Sequence, residues 1–315
     1  MILNIFKNGN AILNYHRILQ NNDMSKPNNE LVVSMSKFKE QLVFLKKNYN
    51  LVSLDNLLSF EKNKKASISI TFDDGYKDNL TNALPILNEL KVPATIYVIT
   101  KFFQNDLSVW WYELQDYIWE KSENIKFEYN KKNYDFPIKS NFEKWICFNK
   151  LKDIIKKFDK MEQNKFLSIV IKREERKQFK NIFLSKEDLK LLCSNPLITI
   201  GAHTHNHLSL KNLKQNDCTE EIKTSKRILE DITGLKIKHF SYPYGTKSDA
   251  GKREFKIVED LGFSSAVTTT VGRLLRKKIF NLPRIHMNQK LNEKNLKLKL
   301  STFYYLYRNA KEIFN

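Results

Sequence analysis

Residues 66–72 read Ala-Ser-Ile-Ser-Ile-Thr-Phe, an alternation of apolar and small polar positions rich in β-branched side chains that predicts a strand, cut off by Asp73-Asp74-Gly75. Short apolar runs of the same kind recur at residues 11–16, 94–100, 197–202, 237–240, 263–267 and 281–286. Between them the apolar period lengthens. Phe38, Leu42, Leu45 and Tyr49 mark a helix over 36–48 with Ser36 as its N-cap. Further helices are predicted over 77–90, over 185–193 behind a Ser-x-x-Asp cap, over 217–233 ahead of Gly234, and over 249–261. Strands alternating with helices across short loops predict an α/β fold with a parallel, barrel-like sheet.

The rhythm breaks between residues 104 and 181. All four tryptophans, Trp110, Trp111, Trp119 and Trp145, fall there. Lysine-rich helices are predicted over 143–158 and 162–176, with a hairpin or loop over 126–136. The chain therefore divides into a discontinuous main domain, 1–104 and 182–290, a mainly helical insertion over 105–181, and a basic helical tail over 291–315. The tryptophans are expected to form core between helices; stacking on a sugar is the alternative.

With 315 residues, 41% hydrophobic and 28% charged, the chain has enough apolar matter for a large core. The net charge of +19 invites a nucleic-acid reading. The lysines are spread along the whole chain, however, and no recognition helix or zinc-finger spacing occurs, so no nucleic-acid partner is expected. Cys147, Cys193 and Cys218 are far apart and odd in number, which argues against a disulfide framework. Residues 1–10 lack a basic stretch followed by a long apolar run, and no segment reaches the ~18 apolar residues of a spanning helix. The expectation is a cytoplasmic protein. The tail, with Phe303, Tyr304, Tyr305 and Tyr307 among lysines, is expected to cap the barrel, with peripheral contact to the inner membrane face as the alternative.

Two clusters carry the chemistry. At the end of a strand, adjacent Asp73 and Asp74 point different ways, so one can bind a metal while the other faces a substrate. His203, His205 and His207 hold half of the six histidines within five residues. His203 and His207 have the spacing of two ligands on one helical turn, whereas a continuing strand would put all three on one face. Asp74, His203 and His207 together make three ligands and leave a position open for water. Asp73 is then a candidate base, and His16 and His286, each at a strand end, are candidate acids. Pro243 and Gly245 in Phe240-Ser241-Tyr242-Pro243-Tyr244-Gly245 fix a turn whose backbone N–H can face an oxyanion.

At these stretches the chain resembles the polysaccharide deacetylases with a NodB-homology domain, carbohydrate esterase family 4. Thr71-Phe72-Asp73-Asp74-Gly75 matches the first motif of that family, and His203-Thr204-His205-Asn206-His207 fits the second, His-Ser/Thr-x-x-His. The resemblance spans residues 11–104 and 182–286. It implies a distorted (β/α) barrel, Asp73 as base, and Asp74, His203 and His207 as ligands of a divalent metal, zinc foremost, with cobalt, nickel or iron as alternatives. The implied substrate is an acetylated glycan or glycan precursor that loses N-acetyl groups from hexosamine. An O-deacetylase or deformylase, or an inactive glycan binder, is the alternative. The third motif of the family usually reads Arg-x-Pro-Tyr, but Ser241 stands where the Arg would be; Tyr244 still matches and supplies the oxyanion N–H. Arg284 is either a replacement for that Arg or a surface residue. Asn14-Tyr15-His16-Arg17 looks like the Tyr-His of a permuted branch of the family, which favours His16 over His286 as acid.

Overall fold

The computed structural model describes residues 9–21, 25–59, 65–104, 108–179 and 181–301. Twelve strands are assigned among them: β1 Ala11–Tyr15, β2 Arg17–Leu19, β3 Val32–Ser34, β4 Asn50–Leu51, β5 Ser67–Phe72, β6 Ala94–Val98, β7 Ile125–Tyr129, β8 Lys132–Phe136, β9 Ile198–Ala202, β10 His239–Ser241, β11 Ser265–Val267 and β12 Ile285–His286. The helices are α1 Met35–Asn48, α2 Leu54–Leu58, α3 Leu84–Leu90, α4 Trp110–Glu120, α5 Asn141–Ile155, α6 Lys160–Val170, α7 Lys186–Cys193, α8 Gln215–Thr233, α9 Lys252–Asp260 and α10 Glu293–Leu300.

Eight strands form one parallel sheet in the order β11-β10-β9-β6-β5-β1-β12, with β4 beside β5. Every residue of β1, β5 and β6 is buried, the signature of strands covered on both faces. The segment before β12 draws the two edges together. Leu282 pairs with Val267 of β11, and three residues later Ile285 pairs with Leu13 of β1. The curled sheet thus becomes the expected distorted (β/α) barrel, and the C-terminal ends of its strands gather on one face.

The insertion builds a second core. Phe148, Leu151 and Ile155 of α5 and Phe166 and Leu167 of α6 pack against the β7–β8 hairpin. α4 fastens this unit to the barrel: Trp111 Nε1 donates to the Tyr76 hydroxyl at 3.2 Å, and Arg17 donates to the Tyr112 hydroxyl at 3.2 Å.

Several predicted boundaries move for identifiable reasons. Ser34, not Ser36, caps α1: it is extended, and its Oγ accepts from the Lys37 N–H at 3.2 Å. The helix expected over 77–90 is broken into a wide turn, Asn79–Ala83, and α3. Pro85 lacks the N–H needed to continue an α ladder, and the amides of Asn79 and Asn82 turn to the carbonyls of His16 and Ile18. The three cysteines are free, as expected. Of the tail, α10 is described and its Leu296 and Leu300 are buried against the barrel core; the aromatic residues Phe303 to Tyr307 lie outside the described residues. No helix among the described residues is long and apolar enough to cross a membrane.

Candidate metal centre and active-site cleft

β5 delivers its two carboxylates in opposite directions because Asp74 takes a left-handed φ of 75° and Gly75 one of 71°. A Cβ on Gly75 would meet Val98 Cγ1 at 3.0 Å, so the turn requires glycine on two counts. Asp74 Oδ1 lies 3.3 Å from His203 Nε2 and 3.5 Å from His207 Nε2. The three side chains are buried, with donor atoms within 4.8 Å of one another, the one such cluster among the described residues.

The histidine segment is neither helix nor strand. Beyond β9 it is a turn in which Thr204 and His207 both have positive φ, 61° and 59°. Thr204 Oγ1 accepts from the His207 N–H at 3.0 Å, tying His207 back to the residue that follows His203. That bond gives the hydroxyl residue of the motif a physical purpose. His205 points elsewhere, its Nδ1 2.9 Å from Thr100 Oγ1.

The donor set suits a divalent cation. His203 Nδ1 lies 2.7 Å from the Ser241 carbonyl, which can only accept, so Nδ1 carries a proton and Nε2 is the nitrogen aimed at Asp74. Burial is outweighed by the carboxylates beside this ring, which raise its pKa, so a cation at this point would displace a proton from Nε2. Burial pushes the His207 ring down to about 3, leaving a neutral imidazole as a ligand requires. Two imidazoles and one carboxylate match a catalytic zinc-type site with an open position.

Asp73 turns inward to Arg284. The guanidinium donates to both carboxylate oxygens, at 2.8 Å and 2.6 Å, and is itself 1% exposed. Arg284 is therefore not a surface residue, and it stands where a replacement for the motif-three arginine would have to reach Asp73. It also donates to Ser241 Oγ at 2.9 Å, so the serine standing where the third motif has Arg receives the one supplied from the segment before β12. Burial alone would push the Asp73 carboxyl up, but Arg284 outweighs burial and holds it far below the usual carboxylate range. Sequence reasoning missed Asn14, whose Nδ2 donates to Asp73 Oδ2 at 3.1 Å. Its place in β1, two residues before His16, was the available signal.

His16 and His286 prove to be neighbours, with ring centroids 5.7 Å apart, because β1 and β12 are paired. Both line the cleft. Burial lowers the His16 pKa against the pull of Asp74 and Asp73, whereas the first charged neighbour of His286 is His16 itself. Burial and His16 push His286 down to about 3. In the folded protein that ring is neutral below the ~6.5 at which an unfolded histidine takes up its proton. The unfolded chain then binds more protons, so this contribution to stability is present above pH ~6.5 and is lost as pH falls. Urea midpoints measured in chelator at pH 7, 6 and 5 are expected to decline less steeply in His286→Gln, by up to about 1.4 kcal/mol per pH unit. An unchanged slope would show a hydrated ring.

Tyr244 has a φ of 59° and packs its ring on His207 at 4.8 Å. Among the described residues its N–H donates no hydrogen bond, while its carbonyl accepts from Thr269 Oγ1 at 2.6 Å. Gly245 follows with a φ of 65°, and a Cβ there would come within 2.6 Å of the Thr269 nitrogen.

These groups line a cleft of about 390 Å³ whose other wall is the insertion. Trp110, Trp111 and Trp145 reach it, and Trp111 lies 5.3 Å from His207 ring to ring. The expectation that the tryptophans are core holds for the burial of Trp110 and Trp111, but three of the four also face the site.

Solved structures share this architecture. Streptococcus pyogenes deacetylase PplD in complex with acetate superposes with a TM-score of 0.62 at 19% identity, over 93% of this chain and 98% of that one. A de-N-acetylase from Aggregatibacter actinomycetemcomitans gives 0.60 at 13% identity, over 92% and 98%. By sequence, the poly-beta-1,6-N-acetyl-D-glucosamine N-deacetylase of Staphylococcus aureus is 34% identical over 109 residues, a stretch that covers 30% of this chain and 38% of that relative. The profile of the polysaccharide deacetylases matches residues 60–266, nearly two thirds of the sequence and both metal-ligand motifs, and the chain belongs to that family.

Proposed function

We propose that the chain is a metal-dependent hydrolase that removes N-acetyl groups from hexosamine residues of a polysaccharide or of its lipid- or nucleotide-linked precursor. The observation that carries this reading is the buried Asp73–Arg284 pair set beside Asp74, His203 and His207 in an open, aromatic-walled cleft. Asp74, His203 and His207 would hold the cation, which when bound supplies Lewis acidity toward water and an amide carbonyl.

The chain's own groups supply the rest. Asp73 is the base. Arg284 and Asn14 place three donors on its two oxygens, which offer about four acceptor sites, so one acceptor position remains on Oδ1 to receive a proton. The same donors keep it ionised at neutral pH. We assign His16 as the acid for the departing amine, since Asp74 and Asp73 pull its pKa up against burial, whereas the first charged neighbour of His286 is His16. The Tyr244 N–H, held in a left-handed turn beside His207, is the donor for the developing oxyanion.

The test is acetate release from N-acetylhexosamine oligosaccharides by the purified, zinc-loaded protein. Asp73→Asn keeps the shape of the side chain and is expected to slow release by about a hundredfold or more. Unaltered release in that variant, or release from O-acetyl esters alone, would sink the reading.

A further inference from the structure

One face of α5 lines the cleft. Trp145, Asn149, Lys152 and Lys156 succeed one another at helical i+4 and i+3 spacings, so they fall in one row, and all four reach the cleft. The row runs from an indole at the outer end to a lysine beside Tyr244.

The two lysines are in different electrostatic states. Lys156 is paired: its Nζ lies 3.0 Å from Asp249 Oδ1 and 4.4 Å from the centre of the Tyr244 ring. Lys152 donates at 2.8 Å to the neutral amide oxygen of Asn149, and among the described residues no carboxylate lies within ion-pair distance of it. It is half-buried. Burial pushes its pKa down, and the more distant Asp153 and Glu30 offset this only in part. Glu30 also lines the cleft, but it is exposed to solvent and makes no ion pair with Lys152. A partly dehydrated ammonium without a counter-ion is stabilised by any anion brought to it, and such charge-assisted bonds are about twice as strong as neutral ones. The carboxylates deeper in the cleft do not repel such an anion, because Asp73 is neutralised by Arg284 and Asp74 belongs to the metal set.

We infer that Lys152 is the anion-recognising residue of a subsite beside the deacetylation centre, so that the preferred substrate is an acidic glycan with a carboxylate or phosphate on the sugar next to the acetamido sugar. Trp145, about two turns away in the row, offers that neighbouring ring a flat apolar face. The cleft is a single space of about 390 Å³, so a group that reaches Lys152 belongs to the same ligand as the acetamide. This inference rests on the deacetylase reading, and it distinguishes neutral N-acetylhexosamine polymers from acidic ones.

The experiment compares three matched acetylated oligosaccharides, one neutral, one with a carboxylate and one with a phosphate, by calorimetric binding and by acetate release. The wild-type full-length protein is expected to bind at least one acidic oligomer about tenfold more tightly than the neutral one at low salt. Lys152→Gln is expected to erase that preference, Lys152→Arg to retain it, and Lys150→Gln, on the exposed side of α5, to leave it unchanged. In kinetics the Lys152→Gln effect on the acidic oligomers should appear in KM rather than in kcat. If acetate release is absent from all three oligomers but the binding preference follows Lys152, the deacetylase reading fails and the anion subsite stands. If acetate is released, and neutral and acidic oligomers bind alike in the wild type or Lys152→Gln keeps the preference, the subsite is overturned. Absence of binding to all three overturns it as well.

Discussion

Arg284→Met is expected to lose about 3–5 kcal/mol of stability and to slow acetate release by about a hundredfold or more. The substitution removes a guanidinium that makes five hydrogen bonds in the interior, two to Asp73 and one each to Thr71, Ser241 and the Thr268 carbonyl. It leaves Asp73 buried with only Asn14 as a partner. A lone buried carboxylate answers by taking up a proton, and a protonated Asp73 is no base. The direction of the pH dependence follows. In the wild type the folded Asp73 pKa is depressed, so its contribution to stability is complete above the unfolded value near 3.9 and is lost only as pH falls below it. In Arg284→Met the carboxyl rises, and rate and stability become sensitive to pH in the neutral range. Urea titrations of Arg284→Met and of the double variant Asp73→Asn/Arg284→Met test the assignment. The double variant should recover part of the stability and none of the activity. Equal losses in both would show that the arginine acts through packing alone.

Asp74→Ala is expected to abolish zinc-dependent acetate release and the thermal stabilisation by zinc together. A ligand at a hundred times its Kd stabilises a fold by about 2.7 kcal/mol, which corresponds to several degrees in Tm for a domain of this size. The wild type should show that rise in a thermal melt with zinc, and Asp74→Ala should not. The apo variant should melt somewhat below the apo wild type, because alanine tolerates the φ of 75° at this position less well than aspartate, so the test reads the zinc-induced shift of each protein against its own apo form. A variant that still gains stability from zinc would place the ion elsewhere.

Much of the site was legible because the chemistry is written locally. Asp73-Asp74-Gly75 and the His203–His207 cluster each lie within five residues at a strand end, and residue type with spacing suffices to pick them out. What was not legible depends on chain segments far apart. Arg284 is separated from Asp73 by 211 residues, and nothing near it in the sequence tells a buried fork from a surface one. The neighbouring positions of His16 and His286 follow from the pairing of β1 with β12, so the question of which is the acid could not be posed as one of adjacent rings. The shape of the histidine segment was missed for another reason: positive φ at Thr204 and His207 is a tertiary demand, since neither residue type favours the left-handed region as glycine does. The helix boundaries moved through local competition, Ser34 taking the cap from Ser36 and Pro85 interrupting the ladder.

The segment before β12 joins the two edges of the sheet within a few residues, and Arg284 sits in that join, between Leu282 on β11 and Ile285 on β1. Asp73 thus receives its guanidinium partner through the last stitch of the ring. Asp74, His203 and His207 all precede this segment in the chain, whereas the partner of Asp73 lies within it. An opening of the barrel at this seam would separate Arg284 from Asp73, so the Asp73–Arg284 ion pair is a local marker of ring closure.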